Sequence, residues 1–308
     1  MSTQRVAIFA PHPLLTVTLE REGPEREQVH FHAGGQGVWV AHMVACLGAD
    51  PLLCGFIGGE SGALLGPLLE RLGAQLRLVP TASASGCYVT DRRSGERQLL
   101  TATFSDPPSR HELDELVSLT CAEAIAGGWL VLTNPMPAEA LPLETYGDMV
   151  ANVRAGGARA LVDLSPPRLD SALRGQPDLV KLNDWELAQY VCGPVSEPAQ
   201  MIEAAQRLCD AGAGSVIVTR GELPGLVLSA GQAWELSFPL LTRGFREGCG
   251  DAMVGALAAC WAQSGDFEQA VRVGAAAGAA NFLRHGLGTA SRETVERLVG
   301  SVKLQQLA

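Results

Sequence analysis

Short apolar runs alternate along the chain with longer stretches in which apolar residues return every three or four positions. The runs at 6–10, 52–57, 75–79, 129–132, 160–162, 179–180 and 215–219 predict strands. They are continuous rather than alternating, the pattern of strands covered on both faces. Between them, residues 39–47, 63–72, 109–124, 139–155 and 198–211 carry helical periodicity. Strand and helix in alternation predict a mostly parallel sheet with crossover helices on both sides, a three-layer α/β/α, Rossmann-like architecture.

Two regions break the pattern. Residues 17–32 and 86–103 alternate with period two, and Ser94-Gly95 marks a hairpin turn in the second. Two hairpins cannot cover a whole sheet face. They are expected to pair with each other as a small β-lid, from inserts at about 13–33 and 84–104. After Thr219 the runs at 225–229 and 233–237 predict a further hairpin, and residues 251–263 and 267–283 predict two alanine-rich helices. No repeat or linker interrupts residues 1–308, so one domain carrying a lid is expected.

Composition narrows the class. The chain is 47% hydrophobic and 18% charged, enough apolar material for a large core and incompatible with wholesale disorder. The formal charge of −10 argues against a nucleic-acid partner. The eight cysteines include no C-x-x-C pair, which speaks for buried free thiols and against a zinc ribbon. No apolar stretch reaches the length of a signal peptide or bilayer span, so the expected setting is cytoplasmic, without a membrane partner. Lysine is nearly absent: Lys181 and Lys303 stand against 21 arginines. Both are followed by leucine, which excludes a Walker A loop. Any nucleotide chemistry is therefore expected to use backbone amides and arginine.

Five motifs can carry chemistry. Gly248-Cys249-Gly250-Asp251 precedes a predicted helix, so its amides and the helix N-terminus would form an anion hole. Asp251 in the first turn could accept a proton from a hydroxyl; a plain helix cap is the structural alternative. Asn183 and Glu186, three apart after a short strand, could orient a hydrated magnesium ion or form a capping box. Gly34-Gly35-Gln36-Gly37 lacks the third glycine of a dinucleotide fingerprint and suits close approach to a polyhydroxyl ligand instead. Val218-Thr219-Arg220-Gly221 and Gly286-Leu287-Gly288-Thr289 are weaker signals that turns alone would explain.

In this order and spacing the five resemble the ribokinase-like (PfkB) family of small-molecule kinases, from Val6 to about Leu298. The style is nearest to its 1-phosphofructokinase and tagatose-6-phosphate kinase branch. Thr133-Asn134-Pro135-Met136-Pro137 stands where that branch has Ser-Gly-Ser-Leu-Pro, and Asp163-Leu164-Ser165-Pro166 where it has Asp-Thr-Ser-Gly. The resemblance implies ATP-dependent phosphorylation of a sugar-like alcohol, with Asp251 as general base and Gly248, Cys249 and Gly250 as the anion hole. It implies Thr219, Gly221, Asn281, Gly288 and Asn183 around the nucleotide. Magnesium would be held through water by Asn183 and Glu186. It places Thr16, Gly34, Gly35, Gln36, Trp39 and Tyr88 at the acceptor, with a homodimer formed through the lid.

The acceptor end departs from the branch. His12-Pro13-Leu14-Leu15-Thr16 replaces Asn-Pro-Ala-Leu-Asp, Gln36 replaces a Lys, and Trp39 an Asn. The lid stretch Thr-Arg-x-Asn-x-Lys aligns on Ser83-Ala84-Ser85-Gly86-Cys87-Tyr88. Losing that Arg and Lys removes charge-assisted bonds to a substrate phosphate, so an unphosphorylated acceptor is expected. Neither stands at the matched positions, although Arg92, Arg93 or Arg97 in the lid could reach over. Phosphosugar and nucleoside kinases are the alternatives within enzymes. A catalytically idle, ligand-binding member of the fold is the alternative from another class.

Overall fold

The computed structural model describes residues 5–23, 26–239, 241–284 and 290–307. The main sheet has ten strands. From one edge they run β14 (Lys303–Gln306), β13 (Gln232–Ser237), β12 (Leu223–Ser229), β11 (Ser215–Arg220), β10 (Leu179–Asn183), β9 (Arg159–Asp163), β8 (Trp129–Thr133), β1 (Arg5–Phe9), β4 (Asp50–Ile57) and β5 (Gln75–Pro80). From β11 to β5 every pairing is parallel, and β12 to β14 add an antiparallel edge.

Alternate residues of the buried strands feed two separate cores. Val6 and Ile8 of β1 pack into the one that holds helices α1 (Gln36–Cys46), α2 (Gly59–Glu70), α8 (Cys249–Ser264), α9 (Phe267–Phe282) and α10 (Arg292–Val299). Ala7 and Phe9 pack into the other, under α3 (Arg110–Gly127), α4 (Glu144–Ala155), α5 (Arg168–Arg174), α6 (Asp184–Val191) and α7 (Pro198–Asp210). This is the expected three-layer, mostly parallel α/β/α fold, and it follows from β1 being buried from Val6 to Phe9.

The two hairpins form a second sheet of order β3 (Arg26–Gly34), β2 (Leu14–Glu22), β6 (Cys87–Asp91) and β7 (Gln98–Thr103). They are joined by a parallel β2–β6 pairing that sets Thr16 beside Tyr88. Alternation turns Thr16, Thr18, Tyr88 and Thr90 to one face and Val17, Leu19, Val29 and Phe31 to the other. Val29 and Phe31 are each more than half exposed there.

Differences from the sequence expectations are local. Helix α1 starts three residues earlier than its apolar periodicity, because Gly35, at φ 104°, already turns the chain into the helix. Gln36 and Gly37 therefore lie in its first turn. Helices α5, α6 and α10 have seven or eight residues, too few for periodicity to stand out. Strand β14 reads Lys-Leu-Gln-Gln and belongs to a sheet edge, where no apolar run is required. All eight cysteines are free. Among the described residues no helix is long and apolar enough to cross a membrane.

Candidate active site

The carboxyl ends of β8, β9, β10 and β11 converge with the N-termini of α1 and α8, the usual place for a ligand in a parallel sheet. Gly248 caps α8 at φ 73°, and no side chain covers the cap. The first-turn amides and the helix dipole thus face the crevice. A Cβ on Gly250 would stand 2.7 Å from Lys181 Nζ, so only glycine lets the ammonium lie against this turn. Lys181 corrects the expectation that lysine has no part in the site. Its signal was a single charged residue between the apolar Val180 and Leu182 of a buried strand.

Asp251, in the first turn of α8, has its carboxyl pushed up to about 7. Burial is the main cause, the nearby Asp163 and Glu186 charges add to it, and Lys181 opposes it. Lys181 Nζ lies 3.5 Å from Asp163 Oδ1, both side chains being buried. Burial works against the ammonium, but Asp163, Glu186 and Asp251 outweigh it and hold it above its ordinary range. The result is a buried cation between carboxylates, beside an open ring of amides. Such a site can take up a proton and oppose negative charge on a phosphoryl group.

Asn183 and Glu186 form a complete capping box. Asn183 Oδ1 accepts from the Glu186 amide, and Glu186 Oε2 accepts from the Asn183 amide, each at 2.9 Å. Glu186 Oε1 also accepts from the Ser165 hydroxyl at 3.1 Å. Among the described residues no group of three or more His, Cys, Asp or Glu side chains could hold a metal directly. Each Glu186 oxygen has one protein donor and can still accept from water, so the pair could hold a cation that keeps its water shell.

Beside the turn lies a cleft of about 250 Å³ lined by Lys181, Asn183, Thr219, Gly221, Cys249 and Gly250, with Phe238, Met253 and Phe282 as its apolar wall. Thr219 stands in register with Asn183 across β10 and β11. Asn281 is buried behind the turn, where Nδ2 donates to the Glu247 carbonyl at 3.1 Å and approaches Cys249 Sγ at 3.9 Å. These two contacts tie α9 to the turn that opens α8. Burial pushes the Cys249 thiol up to about 11, so it is a neutral group in the turn. Gly288 lies outside the described residues, as does the rest of Gly286-Leu287-Gly288-Thr289.

Where the sequence resemblance puts the acceptor, a Cβ on Gly34 would meet Thr16 Oγ1 at 2.6 Å, so β3 runs directly over Thr16. Gly35 caps α1, and Trp39 is half-buried within that helix. Tyr88 packs edge-on to Phe104, with ring centres 6.1 Å apart. His12 accepts from the Met136 amide through Nδ1, and burial lowers it to about 4, leaving a neutral imidazole. Gln36 reaches the crevice, and its amide bonds Asp163 and Asn134 there. Two of the lid arginines are engaged within the protein. Arg92 stacks over the Phe245 ring at 4.7 Å, and Arg93 pairs with Asp91 and Glu27.

The model of the pfkB family carbohydrate kinases matches residues 13–294. The 1-phosphofructokinase of Rhodobacter capsulatus is 32% identical over 230 residues, covering 73% of this chain and 72% of its own length. Phosphofructokinase-2 from Escherichia coli, solved in complex with substrates and products, superposes with a TM-score of 0.84 at 25% identity. That match covers 96% of this chain and 99% of the other. Ribokinase from Arabidopsis thaliana, complexed with ribose and ATP, shares the fold with a TM-score of 0.74 at 18% identity. It covers 97% of this chain and 99% of the plant chain.

Proposed function

The chain belongs to the pfkB family of carbohydrate kinases, and from that premise we propose that it transfers the γ-phosphoryl group of ATP to a hydroxyl of a sugar-like acceptor at Asp251. The observation that carries this reading is the place of Asp251, one residue past Gly250 in an uncapped helix turn that also receives Lys181, where burial pushes its carboxyl up to about 7. Asp251 takes the proton of the acceptor hydroxyl. The acceptor oxygen then forms its bond to the γ-phosphorus while the bond to the β–γ bridging oxygen breaks and ADP leaves. The amides of Cys249 and Gly250 and the ammonium of Lys181 oppose the charge spread over the equatorial oxygens. Magnesium, held through water by Asn183 and Glu186, would neutralise phosphate charge. Thr219, Gly221 and the apolar wall of the cleft suit the adenine nucleoside.

The second sheet covers the acceptor end as a lid and excludes water, a competing acceptor. Its outer face, with Val29 and Phe31 exposed, fits pairing with a second copy of the chain. Gln36 is bonded within the protein and Arg92 and Arg93 are engaged elsewhere, which supports an acceptor without phosphate; Arg97, close enough to act on Tyr88, is the lid arginine that could hold one. A phosphorylated acceptor is the second reading, favoured by the name of the Rhodobacter capsulatus relative. A coupled ADP-release assay with fructose, fructose 1-phosphate, fructose 6-phosphate, tagatose 6-phosphate and nucleosides decides. Higher kcat/KM for the unphosphorylated sugar supports the first reading. A clear preference for phosphosugars establishes the second, and ATP binding without transfer to any acceptor rejects both.

A further inference from the structure

Gln36 ends in the most fully bonded polar cluster of the site. Its Oε1 accepts from the Asn134 amide at 2.9 Å and from Asn134 Nδ2 at 3.3 Å. Its Nε2 donates to Asp163 Oδ2 at 2.7 Å and is 3.4 Å from the Asp163 carbonyl. Asn134 is equally committed. Its Nδ2 also donates to the Asp163 carbonyl, and its Oδ1 accepts from the Ser165 amide at 3.0 Å and from Arg168 Nε at 3.4 Å. Arg168 is itself buried and donates to the Ala138 carbonyl at 2.7 Å. A side-chain amide offers two donors and two acceptor lone pairs, so neither Gln36 nor Asn134 has capacity left for a ligand. The orientation of each amide is settled by the backbone groups it meets, which can only donate or only accept.

The placement of Gln36 is equally determined. A Cβ on Gly37 would meet Ala10 Cβ at 2.3 Å, so the first turn of α1 presses against the end of β1 and delivers Gln36 between β8 and β9. The Asp163 carboxylate then has one oxygen fixed by Gln36 and the other turned to Lys181. A carboxylate held at one oxygen cannot swing to meet the ammonium with both.

We infer that Gln36, locked by Asn134 and Arg168, is a positioning residue: it holds Asp163 so that Lys181 stays against the Gly248–Asp251 turn instead of collapsing onto a free carboxylate. Gln36 thus acts on phosphoryl transfer through Asp163 and makes no acceptor contact. The inference rests on the kinase reading for its catalytic consequence, while the clamp itself is a property of the folded chain.

Gln36→Glu tests it, because the carboxylate still accepts both Asn134 donors but faces Asp163 with no donor. The expected result is a kcat lowered about tenfold, the scale of one hydrogen bond to a charged group, with the acceptor KM within about twofold. In an Asp163→Asn background the asparagine amide can donate to the carboxylate that Gln36→Glu introduces. Adding Gln36→Glu there should therefore change kcat by less than about twofold. A tenfold rise in acceptor KM at unchanged kcat, or equal losses in both backgrounds, overturns the inference. If the wild-type chain phosphorylates no acceptor, the kinase reading has failed, and melting temperatures of wild type, the two single variants and the double variant decide the clamp. Destabilisation by Gln36→Glu that vanishes beside Asp163→Asn supports it, and additive losses refute it. Should Gln36→Glu fail to fold, recovery of folding on adding Asp163→Asn supports the clamp, and continued failure refutes it.

Discussion

Replacing Asp251 by asparagine should sharply lower turnover and stabilise the fold at the same time. In the native chain the carboxyl group titrates near 7 against an ordinary value of 3.8. The native state therefore binds more protons than the unfolded chain between these values, and stability falls as pH climbs through that window. The full difference corresponds to about 4 kcal/mol. Asp251 keeps some contact with solvent, which reduces the expected cost to about 2 kcal/mol at pH 8. Asparagine has the same shape and never ionises, so the variant should melt about 4 °C above wild type at pH 8. At pH 4, where the wild-type carboxyl is protonated in the native state, the gap should close. Turnover of the variant should fall roughly a hundredfold or more, the scale of removing a general base. The assay is a pair of melting curves from pH 4 to 8 beside steady-state kinetics on the same preparations. A gap that does not grow with pH, or near wild-type turnover, would refute the buried-base reasoning.

Other outcomes follow from the same geometry. Because the base must be deprotonated, wild-type kcat/KM should fall about tenfold per pH unit below roughly 7 and level off above it; a profile flat from pH 5 to 8 contradicts this. Glu186→Gln should leave the melting temperature within about 2 °C, since glutamine can complete the capping box. It should still raise the magnesium concentration needed for half-maximal activity; a drop in stability with an unchanged metal response assigns Glu186 to the cap alone. Arg92→Ala removes the cation–π contact between lid and Phe245, and the acceptor KM should rise about threefold or more with little change in that for ATP. Phe31→Glu, on the outer face of the second sheet, should shift the chain toward monomer in light scattering; an unchanged mass dismisses that face as the interface.

Much of this architecture is legible in the order of residues alone. Continuous apolar runs such as 6–10 and 215–219 suit strands covered on both sides, and a parallel sheet then requires helices between them. The period-two stretches announce the second sheet for the same local reason. Gly248 to Asp251 stands out because glycines before an apolar helix already define an amide-rich turn. What the sequence could not contain was the partner of each polar side chain. Asn183 and Glu186 at their spacing suit a metal shell and a capping box alike, and the fold shows the box complete, with Ser165 as a third member. Gln36, Asn134, Asp163 and Lys181 come from four separate segments, α1, the end of β8, β9 and β10. Their contacts depend on the register of β8, β9 and β10 and on how closely Gly37 lets α1 approach β1. Periodicity reports which face of an element is buried, a local property. Whether a buried lysine pairs with a carboxylate or a ligand is decided by side chains that converge only when the sheet is assembled, and tertiary packing alone sets those distances.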